Sequence, residues 1–313
     1  MRQNRITLFA LLALAWSMVG ISEAAVSENR PNILLVMADD MGWTDIGSFG
    51  GEIETPNLDA LAKSGVTFTD FHVSVSCSPT RSMLLSGNDN HVAGLGNMGE
   101  LLTENQKGKP GYEGHLNDRV VSLAEALQAG GYHTYMAGKW HLGHTPGTLP
   151  HDRGFERSLS LLVGGASHWA DMRGILPSDD SAMYSQDGKY LEQLPADFYS
   201  SKSYADFLMN AIRQNRGDGK PFLAYLAFSA PHDPVQVPEP WLSKYRGRYD
   251  EGYEALKTAR WQAAKTIGIV PQKAELEERH PMIQPWDELS KDRQAIEARG
   301  MEVYAGMLRA NLR

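Results

Sequence analysis

Two unbroken apolar runs constrain this chain more than any other feature. Ile33-Leu34-Leu35-Val36-Met37 and Phe222 to Phe228 have the length of strands and show no polar alternation. Runs of that kind suit strands covered on both faces, the situation of a parallel sheet flanked by helices. Both run straight into polar residues: Asp39-Asp40 after the first, and Ser229-Ala230-Pro231-His232-Asp233-Pro234 after the second. A shorter strand, His133 to Ala137, leads into Gly138-Lys139-Trp140-His141-Leu142-Gly143. Ligands of open α/β sheets bind beyond the carboxyl ends of the strands. If these strands are parallel, Asp39-Asp40, Lys139 with His141, and His232 share one edge.

Helical patterns separate the strands. Thr55-Pro56-Asn57 opens one that Gly65 closes, with Pro at the start and Gly at the end. Others span Pro79 to Leu85, Ser122 to Ala129, Ser203 to Arg213 and Ser290 to Leu312. Val66 to Val75 reads as a strand with polar alternation, and Gly87 to Gly114 as a long surface loop. Gln236 to Gln284 lacks clear periodicity and reads as an irregular excursion lining a substrate entrance. The expected fold class is α/β, a mainly parallel sheet flanked by helices.

At the N-terminus, Arg2 and Arg5 precede the apolar Ile6 to Val19, and Ser22-Glu23-Ala24 offers a small-x-small cleavage pattern. That reads as a signal peptide over residues 1–24, cleaved before Ala25, with the remaining domain over 25–313. A membrane anchor is the competing reading, but the apolar core is too short for a span. No later stretch is long and apolar enough to cross a bilayer, so no stable membrane association is expected. The expected location is periplasmic or secreted. A net charge of −8 without a block of Lys and Arg gives no suggestion of nucleic-acid binding.

The chain has one cysteine, Cys77. It cannot form an internal disulfide, so it is buried and inert, paired with another chain, or chemically special. Pro79 suits the first turn of a helix, whose free N–H groups and dipole favour an anion. Cys77 then sits beside an anion pocket, with Arg81 one turn on. Asp39-Asp40 suits a hard divalent cation, although Asp-Asp before Gly is also common in turns and caps.

Cys77-Ser78-Pro79-Thr80-Arg81, with Ser82-Met83-Leu84-Leu85-Ser86-Gly87 after it, resembles the signature of the type I, formylglycine-dependent sulfatases. The second signature of that family, Gly-Lys-Trp-His-Leu-Gly, stands at Gly138 to Gly143. Asp39-Asp40-Met41-Gly42, Pro231-His232-Asp233-Pro234 and the stretch Tyr249 to Gly306 also match, and bacterial arylsulfatases are the most similar branch. The resemblance implies an alkaline-phosphatase-like fold and hydrolysis of small-molecule sulfate esters. It implies Ca²⁺, with Mg²⁺ the alternative, and a formylglycine-generating enzyme that oxidises Cys77 to an aldehyde. One hydroxyl of the hydrated aldehyde attacks sulfur and the second expels sulfate. Asp39, Asp40 and the modified Cys77 are then metal ligands. Arg81 holds the diol, Lys139 neutralises sulfate oxygens, His141 takes the proton that triggers sulfate loss, and His232 protonates the leaving group.

The resemblance is incomplete. An Asp-Asn metal pair on a later strand and a further sulfate-binding Lys are not found after Phe228, and the chain stops inside a helical pattern. It therefore reads as C-terminally truncated, without the last part of the catalytic domain and the C-terminal subdomain. Two alternatives stay open: a phosphonate or phosphate monoesterase of the same superfamily, and an inactive remnant. His91 is a candidate for shaping the pocket. Trp169, Tyr184, Tyr199 and Trp241 could stack on an aryl group, though packing is their simpler use.

Overall fold

A computed structural model describes residues 30–175 and 181–311. The signal peptide expected over 1–24 lies outside them. Residues from Asn32 onward form one compact unit. Its centre is a six-stranded sheet. Strands Ile33–Asp39 (β1), His133–Lys139 (β2), Arg157–Leu161 (β3), Tyr184–Gln186 (β4), Lys189–Leu191 (β5) and Phe222–Pro231 (β6) stand in the order β1-β6-β2-β3-β4-β5. The pairs β1–β6, β6–β2 and β2–β3 are parallel, and β4 and β5 add an antiparallel margin.

Seven α-helices accompany the sheet among the described residues: Pro56–Ser64 (α1), Cys77–Ser86 (α2), Leu123–Ala129 (α3), Ser200–Gln214 (α4), Glu239–Leu242 (α5), Gly252–Thr266 (α6) and Lys291–Asn311 (α7). One face of the sheet packs Met136, Trp140, Leu223 and Tyr225 against Leu85 of α2 and Ala124 of α3. The other packs Tyr135, Ala137, Leu159 and Ala224 against Tyr204, Leu208 and Ala211 of α4. The expected start at Ser122 holds: Ser122 caps α3 in a reciprocal capping box with Glu125, while the helix expected from Ser203 begins earlier, at Ser200.

Three expectations change. Val66 to Val75 forms no strand; its apolar side chains lie exposed, Val66 at 82% and Phe71 at 71%, with no strand beside them among the described residues. The stretch Gln236 to Gln284 is not irregular throughout, since it holds α5 and α6. The apolar period of α6 is faint because charge anchors it: Arg260 pairs with Glu52 at 2.7 Å and with Asp45. Finally, β1 is not covered on both faces. It is an edge strand of the described sheet, and Leu34 and Val36 are 61% and 43% exposed.

Gly138 decides how closely β2 and β6 approach. Its φ is +120°, and a Cβ built there falls 1.8 Å from the Ala227 carbonyl oxygen. Only glycine fits, which places the next residue, Lys139, at the core end of its strand.

Candidate active site

The parallel register brings the three polar strand ends to one edge. Asp39 ends β1, Lys139 ends β2, and His232 follows β6. Helix α2 begins there with Cys77, two residues earlier than its proline suggested, and its C-terminus closes on a left-handed Gly87. Its first-turn amides have no intrahelical partner, which leaves the start of α2 suited to an anion.

Behind Cys77 is a buried charge cluster. The Lys139 ammonium donates to Asp39 Oδ2 at 2.6 Å. Arg81 Nη2 lies 3.3 Å from Asp39 Oδ1, and Arg81 Nη1 donates to the Lys139 carbonyl at 2.6 Å. Lys139, Arg81 and Asp39 are only 0%, 1% and 6% exposed. Burial opposes the Asp39 charge, but the Arg81 and Lys139 cations outweigh it and hold the carboxyl below its ordinary value. Two cations face one carboxylate, so the cluster carries an excess positive charge next to the position 77 side chain.

Cys77 is half-buried between two imidazoles. The His141 and then the His232 imidazole beside it, helped by the Lys139 charge, bring its thiol down to about 6, against burial and the Asp39 carboxylate. His232 moves the opposite way: the thiol beside it and the Asp233 carbonyl raise it. Its Nδ1 donates to the Asp233 carbonyl at 2.7 Å, and its Nε2 lies 3.5 Å from Asp40 Oδ2. Behind it, His168 Nε2 donates to the His232 carbonyl at 3.2 Å, while its Nδ1 accepts from the Ser200 hydroxyl at 2.7 Å. His168 is therefore a buried brace of the His232 loop.

The backbone is strained where the chemistry gathers. Asp40 and His141 take φ of +61° and +55°, a region unfavourable for non-glycine residues. At Asp40 the turn is held from outside: the Tyr304 hydroxyl of α7 donates to the Asp40 carbonyl at 3.2 Å and also meets the Asp45 carboxylate, which pairs with Arg260.

Of the expected metal ligands, Asp39 and Cys77 stand together, and His232 joins them. One ligand atom from each of the three lies within 4.8 Å of the others. Asp40 lies outside this trio, its side chain 62% exposed. A carboxylate, a thiol and an imidazole form a soft, mixed donor set. Exchanging the Cys77 sulfur for oxygen makes the set harder, and the Asp39 carboxylate is then of a kind suited to Ca²⁺ or Mg²⁺. In that form the residues fit a divalent cation.

Next to His141 opens a cavity of about 670 Å³, lined by Glu100, Leu162, Val163, Gly164, Gly165 and Ile175 among others. No residue of the stretch 236–284 is among the described residues lining it. Glu100 was not foreseen: its Oε1 lies 2.8 Å from His141 Nε2. It sits in a loop rich in Gly and Asn, where no periodicity marks it. Tyr184 and Tyr199 are buried, at 1% and 8%, and Trp169 packs on Tyr199 with ring centroids 5.1 Å apart. His91 packs on Tyr112.

The fold agrees with comparison to known proteins. The sulfatase family profile matches residues 31–310. An uncharacterised sulfatase of Schizosaccharomyces pombe is 46% identical over 288 residues, 89% of this chain and 52% of that protein. An arylsulfatase of Klebsiella aerogenes is 40% identical over 299 residues, 95% of this chain and 63% of that protein. Among solved structures, Ps i-CgsB in complex with k-i-k-neocarrahexaose superposes with a TM-score of 0.63 at 24% identity, covering 90% of this chain and 52% of that one. The PsFucS1 sulfatase from Pseudoalteromonas superposes at 0.53 with 22% identity, over 85% of this chain and 54% of that one.

The chain belongs to the sulfatase family. It spans between half and two thirds of the length of the two curated relatives described, 52% and 63%. No helix among the described residues is long and apolar enough to cross a membrane.

Proposed function

We propose that this chain carries the active site of a sulfate ester hydrolase of the arylsulfatase kind, with the side chain at position 77 as the nucleophile. One observation carries the reading. Cys77 opens a helix at the sheet's carboxyl edge, between the His141 and His232 imidazoles and in front of the buried Lys139–Asp39–Arg81 cluster. A sulfate ester is an anion whose reaction needs cationic contacts at sulfur's oxygens, a nucleophile beside a base, and an acid at the leaving oxygen. Those three provisions stand at this edge.

In this reading Cys77 is oxidised to formylglycine by a formylglycine-generating enzyme, which gives the site an oxygen nucleophile in place of sulfur. Arg81 and the start of α2 hold the group at position 77, and Lys139 draws the sulfate oxygens in. His141 accepts the proton from that group when sulfate leaves. His232, tethered through Nδ1, keeps Nε2 for the proton of the leaving oxygen. Asp39, Asp40 and the modified side chain would hold Ca²⁺ or Mg²⁺, which would neutralise sulfate charge and acidify the attacking hydroxyl. The cavity beside His141 receives the organic part of the ester. The signal-peptide pattern read over residues 1–24 supports a periplasmic or extracellular compartment.

The test is relative turnover of para-nitrophenyl sulfate and a para-nitrophenyl phosphonate ester by the chain co-expressed with the modifying enzyme. Faster release from the sulfate supports the reading. Faster release from the phosphonate assigns the site to a phosphonate monoesterase instead, and release from neither makes this chain an inactive remnant.

A further inference from the structure

We propose that Glu100 is a positioning residue for His141: its carboxylate accepts the Nε2 hydrogen bond, fixes the ring's tautomer, and leaves Nδ1 as the nitrogen that serves position 77. The role rests on the sulfate ester reading above.

The geometry is specific. Glu100 Oε1 and His141 Nε2 are 2.8 Å apart. A carboxylate only accepts, so the proton between them belongs to Nε2. In a neutral imidazole Nδ1 is then an acceptor. That atom is buried and has no hydrogen-bond partner in the protein, while the His141 ring is only 8% exposed and lies beside the Cys77 thiol. A buried acceptor without a partner is costly unless something supplies a donor. A hydroxyl at position 77 would do so. The arrangement of carboxylate, imidazole and nucleophile follows the logic by which a carboxylate sets tautomer and orientation in hydrolytic triads.

A second feature points the same way. Gly164 is pressed against this hydrogen bond: a Cβ built there would lie 2.9 Å from Glu100 Oε1 and 3.0 Å from His141 Cε1. The bare Cα at position 164 lets the cavity wall close on the pair and denies the ring room to turn. Glu100 itself is half exposed, at 52%, on the cavity side, so replacing it leaves the core intact. Its carboxyl is correspondingly lowered, burial opposing and the His141 hydrogen bond outweighing it.

The experiment is a long-range proton–nitrogen correlation spectrum of the full chain with ¹⁵N-labelled histidine and unmodified Cys77, at a pH where the ring is neutral. The His141 signals are assigned by their loss in His141→Asn. The expected wild-type pattern is a single tautomer with the proton on Nε2. Glu100→Ala populates the Nδ1-protonated form, shifting both ring nitrogens. Glu100→Gln retains the wild-type pattern, because the amide oxygen still accepts. Gly164→Ala, which alters neither residue, shifts the signals in the same direction as Glu100→Ala. A wild-type proton on Nδ1, or a Glu100→Ala spectrum identical to wild type at an unchanged melting temperature, overturns the proposal. The spectrum needs no turnover, so its failure leaves the sulfatase reading standing, and failure of the turnover assay leaves the tautomer assignment standing while removing its catalytic role.

Discussion

Replacing Asp39 by Asn isolates the energetics of the site. The substitution keeps the shape and removes the charge that faces Lys139 at 2.6 Å and Arg81 at 3.3 Å. Both cations stay buried, at 0% and 1% exposure. Removing one partner of a buried ion pair costs about 3–5 kcal/mol, because the remaining charge is left uncompensated. With a urea slope of roughly 3 kcal/mol per molar, the midpoint falls by about 1–1.7 M. Lys139→Met serves as the control. It leaves Asp39 paired with Arg81, so it removes one charged hydrogen bond, about 1.5–3 kcal/mol. Both are measured by urea titration of the metal-free chain, followed by circular dichroism. The pH dependence has a definite sign. The Asp39 carboxyl is held below its ordinary 3.8, so its contribution is complete above that value and is lost as pH falls through the folded-state pKa. The gap between wild type and Asp39→Asn therefore persists at neutral pH and closes only in acid below the ordinary value. An Asp39→Asn chain within about 1 kcal/mol of wild type, or one more stable than Lys139→Met, refutes the reasoning.

Other consequences follow from single contacts. Alkylation of unmodified Cys77 by iodoacetamide titrates with a midpoint at about 6, and His232→Ala moves the midpoint toward the ordinary 9.0. Gly138→Ala drives a Cβ into the Ala227 carbonyl at 1.8 Å; overpacking plus a positive φ cost more than about 3 kcal/mol, read as a drop in melting temperature of at least ~6 °C. His133 is held between Glu156 at 2.8 Å and Asp218 at 2.6 Å, and despite burial these carboxylates raise it above 6.5. Its contribution is complete below 6.5 and lost as pH rises through the folded value, so the wild-type urea midpoint falls more steeply than that of His133→Asn as pH rises above 6.5.

The chemistry of this edge was legible because it is written locally. Apolar runs ending in Asp39, Lys139 and His232 announce strands with reactive carboxyl ends, and parallel pairing does the rest. The Cys77 helix was legible from Pro79 alone. What the sequence concealed depends on contacts between distant segments. Glu100 lies 41 residues from His141, and nothing in its loop marks it before Gly164 closes on both. His168 looked like one more histidine because its partners, Ser200 and the His232 carbonyl, come from a helix start and a strand end. Helix α6 was missed because Arg260, paired to Asp45 and Glu52, does the anchoring that an apolar stripe does elsewhere. Val66 to Val75 has the alternation of a strand, but alternation only permits pairing. Without a neighbour among the described residues it stays open, as does the Leu34 and Val36 side of β1. Exposed apolar edges of that kind favour self-association.

The most direct test of the central claim is release of para-nitrophenol from para-nitrophenyl sulfate by the chain co-expressed with a formylglycine-generating enzyme and supplied with Ca²⁺. Mass spectrometry reports the aldehyde at position 77, and Cys77→Ala is the control. The account predicts turnover that depends on the aldehyde and disappears in the variant. Turnover that survives Cys77→Ala, or a chain with the aldehyde fully formed that releases nothing, contradicts it.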